Sequence, residues 1–363
     1  MTITFVIPAW NKSEYLEKCV RSIAEQVNDE KIIISDHGST DGTEDTITRL
    51  CEDFPFIGRR YCARTAHPDF SHNFRFSFQQ ADTEWTWTFG DDDLLLPGAL
   101  DTVRNLCASD RADFFHLAEE GRATHTNKAI PGTLLSLCNM LGWLDMTGFI
   151  TGNVVRTKYL HSACNSPSWD IYARSSFPQS LALLEVLADR PAAFIDGKFI
   201  APQQIDAPLT LEHWAGQGIA QRYHFIVDGL EDMVLSGVIP QTLKNPFFRY
   251  HSYYLWDRLI GHMINDYYYA MTPANLERWE YIERFSKFLD AESKAILDGE
   301  IQMVQDSITA HYASIRKLKA DSELVDAFAA RHNMERFPFN YLPDQDAESE
   351  SLIVRSGLIG VTH

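Results

Sequence analysis

Basic residues are scarce in this chain. Against 50 aspartates and glutamates stand 32 lysines and arginines, leaving a formal charge of −18 over 363 residues. Neither half of the chain is basic. A protein that tracks nucleic acid needs a positive stripe to neutralise phosphates, so nucleic acid is excluded as a partner. Cysteine is sparse too. Cys19, Cys51, Cys62, Cys107, Cys138 and Cys164 form no C-x-x-C pair and sit mostly among apolar neighbours, which reads as reduced, packed thiols of a cytosolic protein. No long hydrophobic run is present. The least charged stretch, Thr133 to Val155, is broken by Asn139, Asp145 and three glycines and makes a poor membrane span. The apolar start, Met1 to Trp10, has neither the basic segment nor the cleavage site of a signal peptide. Internal repeats and collagen-like or coiled-coil periods are absent. What is plentiful is hydrophobic material, 45% of residues, enough for one sizeable core or two domains.

The first hundred residues alternate strand and helix patterns. Thr2 to Pro8 is a short apolar run. Asn11-Lys12-Ser13-Glu14 then reads as a helix start with Asn11 as cap and Glu14 reaching back. Leu16, Cys19, Val20, Ile23 and Val27 follow at helical spacing. Lys31 to Asp36 predicts a second strand, Thr43 to Cys51 a helix, Ile57 to Arg64 a third strand and Asn73 to Gln80 a helix. Trp85, Trp87 and Phe89 alternate with threonines, a period-two strand that runs into Gly90-Asp91-Asp92-Asp93. Such alternation predicts an α/β fold with a mostly parallel sheet flanked by helices and ligands at the carboxyl ends of its strands. Asp36 and the aspartate triplet both fall at such ends. Further strands are expected at Asp113 to Leu117, Thr147 to Val155 and Ala192 to Phe199, with helices at Leu134 to Leu144 and Phe177 to Leu187. Beyond about Asp206 the patterns become long and helical. The expected division is 1–205 for the α/β domain, 206–343 for a C-terminal α-helical region and 344–363 for an acidic, flexible tail with a short apolar end.

Three adjacent carboxylates repel one another, so a fold keeps them only against a cation or a hydrogen-bond network. Oxygen ligands suit Mn2+ or Mg2+, which also hold phosphate oxygens. An acidic protein that binds a nucleoside diphosphate needs such a cation between the two negative partners. The competing reading is a solvated acidic turn ahead of the helix that starts near Pro97.

The order and spacing of several segments resemble the inverting-type family 2 glycosyltransferases with the GT-A, Rossmann-like fold. The matching residues are Val6-Ile7-Pro8-Ala9-Trp10-Asn11, Leu16, Ser22, Ile23 and Gln26, Ile32 to Ile34, Asp36, Gly38 to Thr43, Asn73, Asp92-Asp93 and Pro97. Thr88 to Asp93 is also similar to a bacterial branch that builds O-antigen and other surface polysaccharides. The resemblance implies a cytoplasmic, metal-dependent transferase, peripheral at the inner face of the membrane, that moves a sugar from a UDP-linked donor to a saccharide or lipid-linked saccharide. It implies that Pro8, Ala9, Asn11, Ser39 and Asn73 line the nucleotide-sugar. Asp36 accepts a hydrogen bond from the pyrimidine, Asp91 and Asp92 lie at the ribose or metal water, and Asp93, with Asp92, holds the cation.

The chain departs from the family at four places. His37 stands where a second aspartate is frequent, His72 where an arginine is common, and Gly90 where many relatives carry another aspartate. The Glu-Asp pair that supplies the general base is absent from the helix at Phe177-Pro178-Gln179, so Asp170 and Glu185 become the candidates. The aromatic segment Pro246 to Ala270 reads as helical core, as a saccharide platform or as a membrane-interface patch. Two other functions remain open. A nucleotidyltransferase would use the same aspartates, but no glycine-rich, lysine- or arginine-bearing loop follows the first strand to hold a triphosphate. A degenerate, glycan-binding homologue would need no base at all.

Overall fold

The first apolar run becomes a central strand. The computed structural model describes residues 2–62, 70–119, 128–175, 177–203 and 219–244, with single positions at 247, 291 and 295. In it β1 (Ile3–Ala9) has every residue buried. It lies between two parallel neighbours, β2 (Lys31–Asp36) and β4 (Trp85–Thr88). A parallel strand covered on both faces has no wet side, which is why ITFVIPA does not alternate. Phe5 stacks on Trp87 with ring centroids 4.9 Å apart, and Phe89 meets both rings edge-on. Burying side chains of this size contributes roughly 1.5–3 kcal/mol each.

The helix α1 (Ser13–Ala24) follows, with Leu16, Cys19, Val20 and Ile23 as its buried face. It does not begin on the predicted cap. Asn11 adopts φ 50° and its Oδ1 accepts the Thr40 N–H at 2.7 Å, while Asp41 accepts the Ser13 N–H at 3.2 Å. The capping carboxylate comes from the next loop because that exchange ties the loops after β1 and β2 together at the sheet end.

Then come α2 (Thr43–Asp53), β3 (Ile57–Tyr61), α3 (Phe70–Phe78), β4, β5 (Asp93–Leu95) and α4 (Ala99–Ala108). After these lie β6 (Phe114–Glu119), β7 (Ala129–Thr133), α5 (Leu134–Leu141), α6 (Trp143–Thr147), β8 (Asn153–Arg156), α7 (Thr157–Cys164) and α8 (Trp169–Tyr172). The last described elements are α9 (Pro178–Leu187), β9 (Pro191–Pro202) and α10 (Ile219–Leu235). The nine strands form one sheet in the order β3-β2-β1-β4-β8-β6-β9-β5, with β7 also paired to β9. The first four strands are parallel, and β8 then runs antiparallel between β4 and β6.

Several expectations need correction. The strand predicted over Thr147 to Val155 is a strand only from Asn153, because Ile150–Gly152 is a 3-10 turn. Gly152 explains part of this, since a Cβ there would come within 2.6 Å of His116 and 2.9 Å of the Leu117 carbonyl. The helix predicted over Leu134 to Leu144 breaks at Gly142, whose φ is 102°. The residues after the aspartates are more than a solvated turn, for Asp93 to Leu95 pair antiparallel with Pro202 to Ile200. All six cysteines are free thiols, five of them buried. No helix among the described residues is long and apolar enough to cross a membrane.

By packing, the chain divides into two units, residues 1–216 with 228–243, and residues 217–227 with 244–363. The first carries the sheet. In it Gly229 closes on Leu181 and Tyr172, which seats the later part of α10 against α9 and α8. The aromatic segment 246–270 and the tail 344–363 lie, apart from Phe247, outside the described residues.

Candidate active site

Three loops meet at the carboxyl ends of β1, β2 and β4, and their backbones are bonded to one another. The His37 N–H donates to the Ala9 carbonyl at 3.0 Å. Asn11 N–H donates to Ser39 Oγ at 2.9 Å, and Lys12 N–H to Thr43 Oγ1 at 3.1 Å. On the other side Trp10 N–H donates to Asp91 Oδ2 at 3.3 Å. The segment Trp10-Asn11-Lys12 therefore stitches the Asp36 loop to the aspartate triplet. Pro8 and Ala9, at the end of β1, are buried beneath it.

Asp36 is the last residue of β2 and is 1% exposed. Its Oδ1 accepts both the Ser39 hydroxyl at 2.7 Å and the Ser39 N–H at 3.1 Å. Asn73 plays a different part. It is buried, accepts the Ser35 hydroxyl at 2.7 Å and donates to the Ser35 carbonyl at 3.2 Å, so it holds α3 against β2. His37 is buried too, with the His72 ring 6.2 Å away.

The three aspartates have three different environments. Asp93 is buried and accepts a short hydrogen bond from the Thr151 hydroxyl. That hydroxyl in turn accepts the Gly90 N–H at 2.8 Å. A Cβ at position 90 would stand 2.9 Å from the Asp93 carboxylate and 3.0 Å from Thr151 Oγ1. A side chain at position 90 would therefore press on the Asp93 carboxylate and the Thr151 hydroxyl and force them to shift. Asp92 is the most open of the three, its side chain 29% exposed, and it forms a close ion pair with Lys12. The Lys12 ammonium also lies 3.9 Å from Asp91. Burial, followed by the neighbouring Asp92 charge, pushes the Asp91 carboxyl up to about 7, against the pull of Lys12. Burial works against the Lys12 charge, but Asp91, Asp92 and Asp93 outweigh it and hold the ammonium above its ordinary value. Gln203, just after β9, closes this side by donating its N–H to the Asp92 carbonyl at 3.1 Å and its amide to the Tyr15 carbonyl at 2.9 Å.

Among the described residues, no three His, Cys, Asp or Glu side chains converge on one metal-sized position. A cation could still be accommodated. Mg2+ and Mn2+ in phosphate-handling sites are held by one or two carboxylates and complete their shell with phosphate oxygens and water. The hard oxygens of Asp92 and Asp93 suit that donor set.

Residues 4–168 match the family described as glycosyl transferase family 2. Over 120 residues the chain is 39% identical to abequosyltransferase RfbV of Salmonella typhimurium, a match that covers 32% of this chain and 35% of the relative. Over 102 residues it is 31% identical to the GalNAc(5)-diNAcBac-PP-undecaprenol beta-1,3-glucosyltransferase of Campylobacter jejuni, covering 28% and 33%. The chain thus spans about a third of the length of the curated relatives it matches. Among solved structures it resembles S. aureus TarS 1-349 in complex with UDP-GlcNAc, with a TM-score of 0.60 at 13% identity over 95% of this chain and 100% of that one. The fold is therefore that of the GT-A glycosyltransferases.

The two base candidates are placed differently. Glu185, in α9, accepts the hydroxyls of Ser166 at 2.8 Å and Ser168 at 2.9 Å, one on each oxygen. It pins the turn before α8. Asp170, at the start of α8, has a side chain 84% exposed and pairs with Arg75 of α3 at 3.1 Å. At the start of α9, where the Glu-Asp pair would stand, Gln179 is buried and donates its amide to the Gly148 carbonyl at 3.2 Å. Sequence reasoning missed Lys12 and Thr151. Lys12 carried a signal, a lone cation directly after the first strand of an acidic chain. Thr151 carried none, since a threonine inside an apolar run reads as strand.

Proposed function

We propose that this protein is a nucleotide-sugar-dependent glycosyltransferase that extends a bacterial surface polysaccharide with inversion at the transferred sugar. The observation that carries the reading is the joining of Asp36 and Asp91 to Asp93 by one bonded loop at the carboxyl ends of parallel strands. That is where the GT-A fold receives a nucleotide. Ser39 occupies Oδ1 of Asp36, and we assign Oδ2 to the donor base. A carboxylate only accepts hydrogen bonds, which matches the N3–H of uracil. Pro8, Ala9, Asn11 and Ser39 form the wall along the base and ribose, and Asn73 supports that wall from behind by fixing α3. Asp92 and Asp93 are the residues that would hold Mn2+ or Mg2+, with Asp91 behind them. When bound, such an ion neutralises charge growing on the departing nucleoside diphosphate.

On the acceptor side we assign the general base to Asp170, because Glu185 is committed to Ser166 and Ser168. Trp169, its neighbour, is buried and packs α8 onto the core, so the acceptor sugar has no exposed ring there to stack on. The name of one curated relative, a glucosyltransferase acting on a PP-undecaprenol-linked saccharide, supports a saccharide acceptor. A lipid-linked acceptor would bring the enzyme to the inner face of the membrane. A thermal-shift screen of nucleotide-sugars with and without Mn2+ tests the donor side. Stabilisation by a UDP-sugar only with Mn2+ is the expected result, and stabilisation by a purine-linked donor alone would overturn the assignment of Asp36.

A further inference from the structure

The acidic site already contains a cation of its own. Lys12 Nζ forms a close ion pair with Asp92 Oδ2 and stands 3.9 Å from Asp91 Oδ1. This is no loose surface lysine, for only 14% of its side chain is exposed. Its backbone N–H is held by Thr43, and the preceding residue is fixed at φ 50° by bonds to Ser39 and Thr40. The Tyr15 ring flanks the ammonium at 5.9 Å from its centroid. The fold therefore delivers this ammonium to the most open carboxylate of the triplet.

We infer that Lys12 is the resident counter-ion of the triplet, and that a divalent cation can take Asp92 only by displacing it. The inference rests on the cation-holding role proposed above for Asp92 and Asp93. Two positive charges cannot share one carboxylate oxygen without strong mutual repulsion, which at contact distance far exceeds thermal energy in a partly buried site. The flexible four-carbon stem of lysine lets the ammonium leave without moving the loop, whereas the backbone bonds of residues 10–12 keep it nearby. Lys12 so offsets part of the triplet's charge in the empty enzyme and weakens its grip on free divalent ions.

Mn2+ binding to the full-length protein, without any donor, measures this directly through the loss of the free-ion electron paramagnetic resonance signal. Lys12→Met removes the charge and keeps the stem length, Lys12→Gln removes it with a shorter, polar side chain, and Lys12→Arg keeps the charge. The two neutral variants should bind Mn2+ about tenfold more tightly than wild type, since losing one competing charge at this range is worth at least that factor. The arginine variant should stay within about twofold of wild type by the same reasoning. Measurable and equal Mn2+ affinity in all four proteins overturns the role of Lys12 while sparing the cation site. Absence of Mn2+ binding in all four overturns the cation site itself, and this inference with it.

Discussion

Thr151→Val is the substitution whose effect can be worked most closely from the structure. The Thr151 side chain is fully buried in the turn before β8. Its hydroxyl donates to the Asp93 carboxylate and accepts the Gly90 N–H at 2.8 Å. Valine keeps the shape and removes both bonds. A hydrogen bond to a charged group is worth about 1.5–3 kcal/mol and a neutral one about 0.5–1.5. Because one hydroxyl serves both, the losses overlap, and about 2–3 kcal/mol is expected. The assay is urea unfolding followed by tryptophan fluorescence, comparing Thr151→Val with Thr151→Ser, which retains the hydroxyl. The valine variant should unfold at clearly lower urea with an unchanged slope, and should bind Mn2+ and UDP more weakly because Asp93 is no longer oriented. The serine variant should lose less than half as much. A valine variant within about 0.5 kcal/mol of wild type, with UDP binding intact, would refute the view that this hydroxyl organises the triplet.

Three other outcomes follow from the same geometry. Asp36→Ala should weaken UDP binding by about tenfold or more while leaving the rate at saturating donor nearly unchanged, as titration calorimetry beside kcat would register. Asp170→Asn should lower kcat by about a hundredfold with donor affinity preserved. A change under twofold would leave the Arg75 ion pair as its whole role. Asp91→Asn should stabilise the fold, and more at pH 8 than at pH 5. The folded state holds the Asp91 carboxyl up to about 7, above its unfolded value. Wild type therefore loses stability as pH rises from the unfolded pKa through 7, a loss the asparagine does not share. Melting temperatures of the two proteins at both pH values give the comparison, and an equal gap would contradict it.

The parallel half of the sheet was legible because β1, β2 and β4 are short runs of apolar and β-branched residues, separated by helices of clear period. The positions of Asp36 and the triplet at strand ends followed from that alternation. What escaped was set by long-range contacts. The strand at Ala129–Thr133 carries a proline and a glycine and reads as loop, yet it pairs with β9 at an edge. Asn11 has the chemistry of a cap, but its bond to Thr40, 29 residues away, decides its conformation. Asn73 looked like a ligand-binding polar residue and turned out to be bonded on both amide atoms to Ser35. Glu185 stood among leucines with no sign of the two serines that hold it. Lys12 was visible in the sequence, but its meeting with Asp92 spans three crossovers of the sheet.

The central claim, transfer from a nucleotide-sugar at the aspartate triplet, is tested most directly by release of nucleoside diphosphate. Purified protein is incubated with UDP-sugars, a saccharide acceptor and Mn2+, with and without EDTA, beside Asp93→Ala; the acceptor hydroxyl, or water in its absence, takes the sugar as UDP leaves. Wild type should release UDP with Mn2+ and stop when EDTA is added, and folded Asp93→Ala should release none above background. Release that persists unchanged in EDTA, or in the Asp93→Ala protein, would contradict the account.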